Sequence, residues 1–422
     1  MHHKLFICVF FTSLLMLASC RCSSAKQSTQ SVKSITVKTE DLGLDLSKYK
    51  TLPIKANKTY TLKSNWDLKG ETYVLPEGVT LKGRGGVFKN GTLIGNDTKI
   101  DTKKALFDKV SIMGNWNVPE INTSMFVTLD YENSLRDVLE LSHPNVKNKV
   151  VIEEGEYSVS AKSFQAALTI GSNVELIING NIRLVPNDYK GCYVLIVRDA
   201  TNVTISGKGC IFGDKHTHKG NEGEWGHGIY VNGSENITIQ DFNVKDCWGD
   251  CIYVGNSSKN VSIKNCNLDN GRRQGISVTS ADGVRISNCL ITNVYGTAPQ
   301  YGIDIEPNKG GRVDNIIIEN VTIADCHGGI MSWRPDDANI GDIIIRRCKI
   351  TNTKVYPIHM RLSDRVVVED CDVVSDFEYC IVIESVSSLS ASGNKMTSRS
   401  KNPFITKRVK KEDVSNHTII RK

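Results

Sequence analysis

The sequence predicts an all-β solenoid, a parallel β-helix of about ten or more coils. The first observation behind this prediction is a repeated four-residue segment with isoleucine in second place and glycine, cysteine or proline before it. It occurs at 228–231, 251–254, 275–278, 302–305, 329–332, 357–360 and 380–383. The isoleucines recur after 23, 24, 27, 27, 28 and 23 residues. Short, regular spacing of this kind is typical of coils that stack along one axis.

The second observation is that a polar turn and a second short strand follow each repeat. These second strands are 236–239, 260–263, 283–286, 315–318, 342–345 and 365–368, and a third strand follows, as at 267–268 and 349–350. Three strands per coil, each alternating apolar and polar residues, place every second side chain inside a tube. Leucine-rich and helical repeats are excluded because neither a Leu/Asn consensus nor a 3.6-residue period is present.

The same pattern extends upstream and sets the domain boundaries. Segments 167–170 and 193–196, followed by 173–176 and 202–205, predict earlier coils, and apolar residues at 135, 138, 139 and 141 predict a helix over 134–141. Short strands and glycine turns at 73–95 indicate irregular coils or a cap. We therefore expect six regions: a signal peptide 1–19, a tether 20–34, β-rich N-terminal coils or a cap 35–125, a leading helix and linker 126–148, the β-helix 149–400 and a C-terminal cap or tail 401–422.

The spacing of four cysteines predicts an internal column of free thiols. Each comes three residues after the last apolar residue of a second strand: Cys266, Cys289, Cys348 and Cys371. At such a position cysteine is a small buried hydrophobe. A disulfide between stacked coils would also need a specific side-chain geometry. We therefore expect no bridges among them, although the chain contains 13 cysteines.

Composition excludes several classes of protein. The 422 residues are 40% hydrophobic and 23% charged, which excludes disorder for most of the chain. The net charge of +6 comes from 52 basic and 46 acidic residues that are interspersed along the sequence, so no basic patch suited to nucleic acid forms. We expect a monomer that binds no nucleic acid.

The N-terminus indicates export. A basic start and the apolar run 5–17 are typical of a signal peptide and are too short to span a bilayer comfortably. Leu17-Ala18-Ser19-Cys20 resembles the bacterial lipobox, which implies cleavage before Cys20 and a lipid on its thiol. We expect a lipid-anchored protein of the bacterial cell envelope, held at the outer membrane on its periplasmic or surface face. An ordinary signal peptide that ends near a cysteine is the alternative.

From about 150 to 400 the chain resembles the pectin-lyase-like superfamily of right-handed β-helices. The resemblance is greatest to its polygalacturonase-type branch and to the β-helices of Bacteroidota lipoproteins. It implies right-handed coils, whereas the reaction stays open because this fold hosts hydrolases, lyases, esterases and carriers. Four family motifs fall on consecutive coils. Gly226-His227-Gly228 stands for Asn-Thr-Asp-Gly, Trp248-Gly249-Asp250-Cys251 for Gly-Asp-Asp-Cys, Arg273-Gln274-Gly275 for Gly-His-Gly, and Asp304-Ile305-Glu306 for Arg-Ile-Lys.

These departures change the chemistry that the motifs imply. Asp250 and Cys251 remain, while the family's general acid is replaced by Gly249. The basic pair that holds galacturonate carboxylates is replaced by two carboxylates, Asp304 and Glu306. Pectin hydrolysis itself is therefore not predicted.

Strand parity places two columns of residues on the outside of the coils. The first is Tyr230, Tyr253, Ser277, Asp304, Met331, His359 and Val382; the second is Asn232, Gly255, Thr279, Glu306, Trp333, Arg361 and Glu384. Carboxylates, an aromatic ring and cations within three coils predict a carbohydrate site. The candidate substrate-binding residues are Arg272, Arg273, Gln274, Tyr253, Trp333, Arg334, His359 and Arg361.

The candidate catalytic pair is Asp304 and Glu306, two residues apart on one strand, with Cα atoms about 6.6 Å apart. Glycosidic cleavage uses two such carboxylates, and their closeness raises the pKa of one of them. A surface ion network with Arg273 or Arg361 is the alternative. Asp250 is the second candidate acid, although Asp also caps turns. No cofactor is expected for a hydrolase.

Two other functions stay open. In a polysaccharide lyase, His227 or His359 would remove a proton beside a uronate carboxylate that Arg273 neutralises, and Ca²⁺ would be a candidate cofactor. A glycan-binding or envelope scaffold would need no catalytic group. The loop 213–226 holds His216 and His218, whose spacing allows a metal site, but we predict that this loop is a groove wall.

Overall fold

The computed structural model describes residues 45–129 and 134–422, and it contains three long parallel sheets wound as a β-helix. The predicted signal peptide, Cys20 and the tether lie outside the described residues. Sheet 1 has 13 strands: Glu120–Asn122, Asn148–Ile152, Val174–Ile178, Thr201–Ser206, Glu235–Gln240, Ser258–Lys264, Ala281–Ser287, Arg312–Glu319, Asn339–Ile340, Asp342–Arg346, Arg365–Glu369, Ser388–Ser392 and Lys411–Ser415.

The other two sheets contain the remaining strands of each coil. Sheet 2 has 11 strands: Glu156–Val159, Asn181–Leu184, Cys210–Phe212, Asn243–Lys245, Asn267–Asp269, Leu290–Thr292, Thr322–Ala324, Lys349–Thr353, Asp372–Ser375, Lys395–Ser398 and Thr418–Arg421. Sheet 3 has ten strands: Ala166–Ile170, Gly191–Arg198, Trp225–Asn232, Ile252–Gly255, Ile276–Val278, Tyr301–Ile305, Gly328–Ser332, Ile358–Arg361, Ile381–Glu384 and Phe404–Lys407. The predicted all-β solenoid is confirmed.

Isoleucine and glycine in the repeat have separate physical roles. Ile276, Ile303 and Ile330 pair in register on adjacent strands of sheet 3 and are fully buried. Where glycine precedes the isoleucine, it lies against an isoleucine or valine side chain of sheet 2. A Cβ on Gly275 would lie 2.4 Å from Cγ2 of Ile291. The repeat therefore has glycine where the tube has no room for a side chain.

The turns between sheets are stabilised by stacked asparagines with positive φ. Asn202, Asn236 and Asn260 have φ near 58°, 57° and 51°. Each side-chain amide donates to the equivalent residue one coil earlier, as from Asn260 to Asn236 at 3.1 Å. Asparagine tolerates this backbone region better than most residues because its side chain bonds locally. The polar turn of the repeat is therefore a stabilising ladder.

The cysteine column is also confirmed. Cys266, Cys289, Cys348 and Cys371 are at most 2% exposed, and all ten cysteines of the described residues are free and buried. Burial beside a second thiol raises the pKa of Cys266 and Cys371 well above the usual range. These thiols are apolar filling rather than reactive groups.

The two ends of the solenoid have structures of their own. Residues before the coils form a separate seven-stranded sheet: Lys50–Thr51, Thr59–Leu62, Trp66–Asp67, Thr72–Val74, Thr80–Gly83, Phe88–Ile100 and Phe107–Asn117. The leading helix is Ser134–Leu139, and 3₁₀ turns occur at Leu46–Lys48 and Thr123–Met125. Residues 401–422, the expected cap or tail, add one strand to each main sheet. No helix in the described residues is long and apolar enough to cross a membrane.

Candidate functional site

The first outward column of sheet 3 is in register along its length. Tyr230, Tyr253, Ser277, Asp304, Met331, His359 and Val382 pair in sequence from strand to strand. However, Ser277 and Asp304 are only 1% exposed and Met331 is 5% exposed. The expectation of an exposed column is wrong at these positions, because neighbouring side chains and loops cover the face of the sheet.

Asp304 and Glu306 are brought together as predicted. Both line a cleft of about 220 Å³, in which Asp304 is buried and Glu306 is half-buried. Burial raises the pKa of Asp304 well above its usual value, and the neighbouring Glu306 carboxylate raises it further, against the opposing effect of Arg273. A carboxyl group with a raised pKa keeps its proton to higher pH than usual. Asp304 is therefore the candidate proton donor of the pair.

Gln274 determines where that proton lies on Asp304. The side chain of Gln274 is fully buried, its carbonyl oxygen accepts from the backbone N–H of Tyr301 at 2.7 Å, and its amide nitrogen donates to Oδ2 of Asp304 at 2.7 Å. Oδ2 is thus an acceptor, whereas Oδ1 is buried and has no hydrogen-bond partner. A proton on Asp304 is therefore expected on Oδ1. Gln274 supports Asp304 from beneath and does not face the cleft as a substrate ligand.

Arg273 lies among carboxylates. Its Nη1 is 3.2 Å from Oδ2 of Asp250, and its Nε is 3.5 Å from Oε2 of Glu224. Burial alone would lower the pKa of Arg273, but Asp250, Asp304, Glu224 and Glu306 together raise it. The guanidinium group is therefore held as a permanent cation at the centre of an acidic cluster.

Asp250 is buried beside Arg273 and Ser277 and does not reach the cleft. It is fully buried and accepts hydrogen bonds from Arg273 and, at 2.9 Å, from the hydroxyl of Ser277. Burial raises its pKa, against the opposing effect of Arg273 and Ser277. Its contacts position Arg273, and it does not line the cleft.

His227 is a neutral member of an aromatic stack. Its ring lies between those of Tyr193 and Tyr253, with centroids 5.6 and 4.8 Å away. Its Nδ1 accepts from the backbone N–H of Asp250 at 3.1 Å, so this nitrogen carries no proton. Burial, with a contribution from Arg273, lowers its pKa to about 3. The ring nitrogen that could act as a base is therefore already engaged.

The cleft has aromatic walls. Its lining comprises Trp225, Tyr253, Arg273, Thr279, Asp304, Glu306, Pro307, Asn308, Lys309, Trp333 and Pro335. Trp333 follows Glu306 by one coil, as its backbone N–H donates to the carbonyl of Ile305 at 3.1 Å. Trp225 comes from the end of the loop 213–226, which supports the predicted groove wall. Two indole rings beside a carboxyl pair suit a sugar ring held over the acid.

Arg272 holds that loop in place instead of facing the cleft. Its guanidinium carbon lies 3.7 Å from the centroid of the Trp248 ring, and Nη1 donates to the carbonyl of Gly223 at 2.8 Å. His218 stacks on Trp248 with centroids 3.9 Å apart and contacts Asp214 at 2.8 Å. His216 lies 3.2 Å from Asp246. The histidines thus fix the loop. Within 45–129 and 134–422, no group of three or more His, Cys, Asp or Glu side chains is arranged to hold a metal ion.

The remaining predicted ligands lie beyond the cleft. Arg334 donates to the carbonyls of Leu362, Pro335 and Asp336, so its donors are used within the fold. His359 lies 3.5 Å from Glu384, and its pKa is lowered by burial and by Arg361. His359 and Arg361 lie on one strand, Ile358–Arg361, two strands beyond that of Asp304, and do not line the cleft.

Sequence reasoning missed three features of the site. Ser277 was placed in the column without a role, yet it bonds Asp250. Glu224 was assigned only to the loop, yet it reaches Arg273. Thr279 and Asn308 bond the hydroxyl of Tyr253. Strand parity could have suggested Ser277 and Thr279, whereas Glu224 depends on a loop conformation with no repeat to predict it.

Comparisons with known proteins agree with this architecture. The family described as "Right handed beta helix region" matches residues 256–419. The uncharacterized protein YclG of Bacillus subtilis is 33% identical over 183 residues, which cover 38% of this chain and 31% of YclG. The match thus spans about a third of that relative's length. A polygalacturonase of Gossypium barbadense is 32% identical over 114 residues, covering 25% of this chain and 26% of that protein.

Solved structures share the fold at low sequence identity. The hyperthermoactive exopolygalacturonase of Thermotoga maritima superimposes with a TM-score of 0.52 and 14% identity, covering 72% of this chain and 93% of that one. At this identity the likeness concerns the course of the backbone.

Proposed function

Since the chain has the right-handed β-helix fold of the pectin-lyase-like superfamily, with polygalacturonases among its sequence and structural neighbours, we propose that it hydrolyses a glycosidic bond of a polysaccharide. The observation that supports this most is the carboxyl pair Asp304 and Glu306, in which the pKa of Asp304 is raised, in a cleft lined by two indole rings. A raised carboxyl pKa is what a general acid at neutral pH needs.

The pair is arranged as a proton donor. Asp304 and Glu306 are two residues apart on one segment of the chain, whereas glycosidases place their two carboxyl groups on either side of the bond. We therefore assign Asp304 and Glu306 to one role, not to opposite sides of the bond. In the proposed reaction Asp304 gives its proton to the glycosidic oxygen, the bond from that oxygen to the anomeric carbon breaks, water adds to that carbon, and the proton that the water releases restores the acid.

The surrounding charges favour the same step. As the bond breaks, positive charge develops on the sugar ring, and fixed negative groups nearby stabilise it. After the proton leaves, Asp304 and Glu306 are both ionised, and Asp250 and Glu224 lie behind them around Arg273. The positive charge of Arg273 offsets the repulsion among these carboxylates and so maintains the geometry of the cluster.

The lyase alternative lacks support from the geometry. His227 has its Nδ1 occupied, and Arg273 is paired with Asp250 and Glu224. Neither is placed to remove a proton beside a uronate that the other neutralises. A purely glycan-binding protein would share the aromatic walls but would gain nothing from the buried, protonated Asp304, because burying an ionisable group destabilises a fold.

The test uses purified protein, a panel of polysaccharides and a reducing-end assay together with absorbance of unsaturated products. We expect new reducing ends without ultraviolet absorbance. Asp304→Asn and Glu306→Gln should each lower turnover at least about a hundredfold. Glu235→Gln, an exposed carboxylate on sheet 1, is the matched control and should leave turnover unchanged. Near-normal turnover in both amide variants would overturn the assignment.

We also propose that Cys20 carries a lipid that anchors the protein to the cell envelope. The support is the Leu-Ala-Ser-Cys segment after an apolar run. Cys20→Ser should move the protein from the membrane fraction to the soluble fraction. If the Ser variant stays in the membrane fraction to the same extent as the wild type, the proposal is wrong.

A further inference from the structure

The charges around the cleft are unusual for a site that binds an acidic sugar. Four carboxylates, Asp250, Asp304, Glu224 and Glu306, act on Arg273. Lys309 is the other cation in the cleft lining, at the exposed rim. Even with a proton on Asp304, the three carboxylates of Asp250, Glu224 and Glu306 outnumber the two cations, Arg273 and Lys309. A uronate carboxylate placed over Asp304 would meet repulsion.

Arg273 is already engaged by the protein's own acids. Its side chain is 15% exposed, its Nη1 contacts Asp250 and its Nε lies 3.5 Å from Glu224. These two carboxylates offset the charge that Arg273 would otherwise present to a substrate carboxylate.

A pair of exposed aromatic rings extends the cleft toward the N-terminal coils. Phe164 is 50% exposed and Trp225 is 40% exposed, and their ring centroids lie 6.0 Å apart. Gly191 lies between them, where a Cβ would come within 2.7 Å of the Phe164 ring and 2.9 Å of Cβ of Trp225. The glycine therefore permits this close approach, and Trp225 belongs both to the pair and to the cleft wall.

The backbone at Phe164 has φ 53°, in the left-handed region that non-glycine residues rarely adopt. This conformation belongs to a turn in which the N–H of Gln165 donates to the carbonyl of Lys162 at 2.9 Å and the N–H of Phe164 donates to that of Gly191 at 2.7 Å. The turn holds a large apolar ring in solvent rather than in the core. An exposed aromatic surface continuous with a binding cleft marks a ligand-contacting surface.

We infer that the substrate is a glycan that is uncharged where it crosses Asp304, and that it extends from the cleft over Trp225 to Phe164. This inference rests on the proposed function. The strand of Asp304 lies five strands beyond the first strand of sheet 3, about 24 Å along the axis. The surface therefore spans several sugar units, and the apolar faces of neutral sugar rings fit aromatic side chains. Such an enzyme acts on long chains.

The first experiment compares substrates by charge. Xylan, β-glucan, galactan and mannan form the neutral arm, and polygalacturonate and alginate form the acidic arm. We expect a neutral chain to be cleaved with kcat/KM at least about tenfold above any acidic one. Cleavage of an acidic chain equal to or better than every neutral one, abolished by Asp304→Asn, would overturn the inference while the proposed function stands. No cleavage of any chain would contradict the proposed function instead.

The second experiment tests the aromatic surface. Phe164→Ala should raise KM about five- to tenfold on the long neutral chain that the wild type cleaves, and change KM less than twofold on its shortest cleaved oligosaccharide. Trp225→Ala, which also removes part of the cleft wall, should raise KM on both substrates. Leu290→Ala, which removes an exposed side chain from sheet 2, is the control and should change neither KM. Circular dichroism verifies that each variant is folded. Equal effects of Phe164→Ala on long and short substrates, or none on either, would overturn the extended surface.

Discussion

Two columns of residues run side by side on the same three strands of sheet 3, and they differ in how uniform their side chains are. Inside the tube, Ile276, Ile303 and Ile330 repeat one residue in one environment. Outside, the adjacent positions are Ser277, Asp304 and Met331, three different residues that are equally hidden from solvent. The inner column is explained by packing alone. The outer column contains a buried carboxyl that packing does not explain.

The difference separates stability from chemistry in a solenoid. Uniform apolar side chains stabilise the interior of a solenoid because each coil packs against the same kind of surface on the next coil. A buried acid such as Asp304 lowers stability unless its hydrogen bonds and its proton offset the loss of hydration. A repeat that breaks its own pattern at a buried position therefore indicates a functional site.

The largest expected effect comes from placing a charge in the inner column. Ile303→Asp buries a carboxylate among isoleucines without a partner and should lower the free energy of unfolding by at least about 4 kcal/mol. Ile303→Val, which removes one methylene, should cost only about 1 kcal/mol. Chemical denaturation monitored by circular dichroism measures both. An unchanged midpoint for the Asp variant would refute the coil register.

The next effect concerns the support beneath the acid. Gln274→Leu removes the amide that donates to Oδ2 of Asp304. Since that hydrogen bond favours the ionised form, its loss raises the pKa of Asp304 further, and the alkaline limb of kcat/KM should move to higher pH. Turnover should fall about tenfold because the proton is no longer confined to Oδ1. A limb that stays in place would mean that Gln274 has a purely structural role.

A smaller effect is expected from the aromatic wall. Trp333→Ala should raise KM about tenfold and change kcat little, because the indole contacts the sugar without taking part in proton transfer. Trp333→Phe, which keeps an aromatic face, should recover most of the affinity. If kcat falls and KM stays unchanged, Trp333 affects proton transfer from Asp304 and does not contact the sugar.

The smallest effect is on stability and has a defined sign. The pKa of Asp304 is raised by burial and by Glu306. Protonated Asp304 therefore contributes its full stabilisation to the wild type at pH values below the group's unfolded-state pKa, near 4. This stabilisation is lost as pH rises through the folded-state pKa. Asp304→Asn cannot ionise, so its Tm should exceed that of the wild type at pH 7 and approach it at pH 4. A Tm difference that does not change with pH would contradict the raised pKa.

The sequence predicted most of the fold because its signal recurs in every coil. The spacing of Ile303 and its equivalents gave the register, and Cys266 gave the position of the thiol column. Asp304 and Glu306 followed from the same parity. The burial of Asp304 did not, because it depends on how loops and large side chains cover the sheet. Arg272 illustrates the limit. Its position in the repeat predicted a substrate ligand in the groove, whereas its guanidinium group stacks on Trp248.

Infrared spectroscopy of the carboxyl C=O stretch at pH 7 tests the raised pKa of Asp304 most directly. The difference spectrum between wild type and Asp304→Asn should contain the band of a protonated carboxylic acid, which the variant lacks. That band should fade only when pH rises above the usual range of carboxyl pKa values, since burial and the Glu306 carboxylate hold the proton. A difference spectrum that contains only ionised carboxylate at pH 7 would contradict the account.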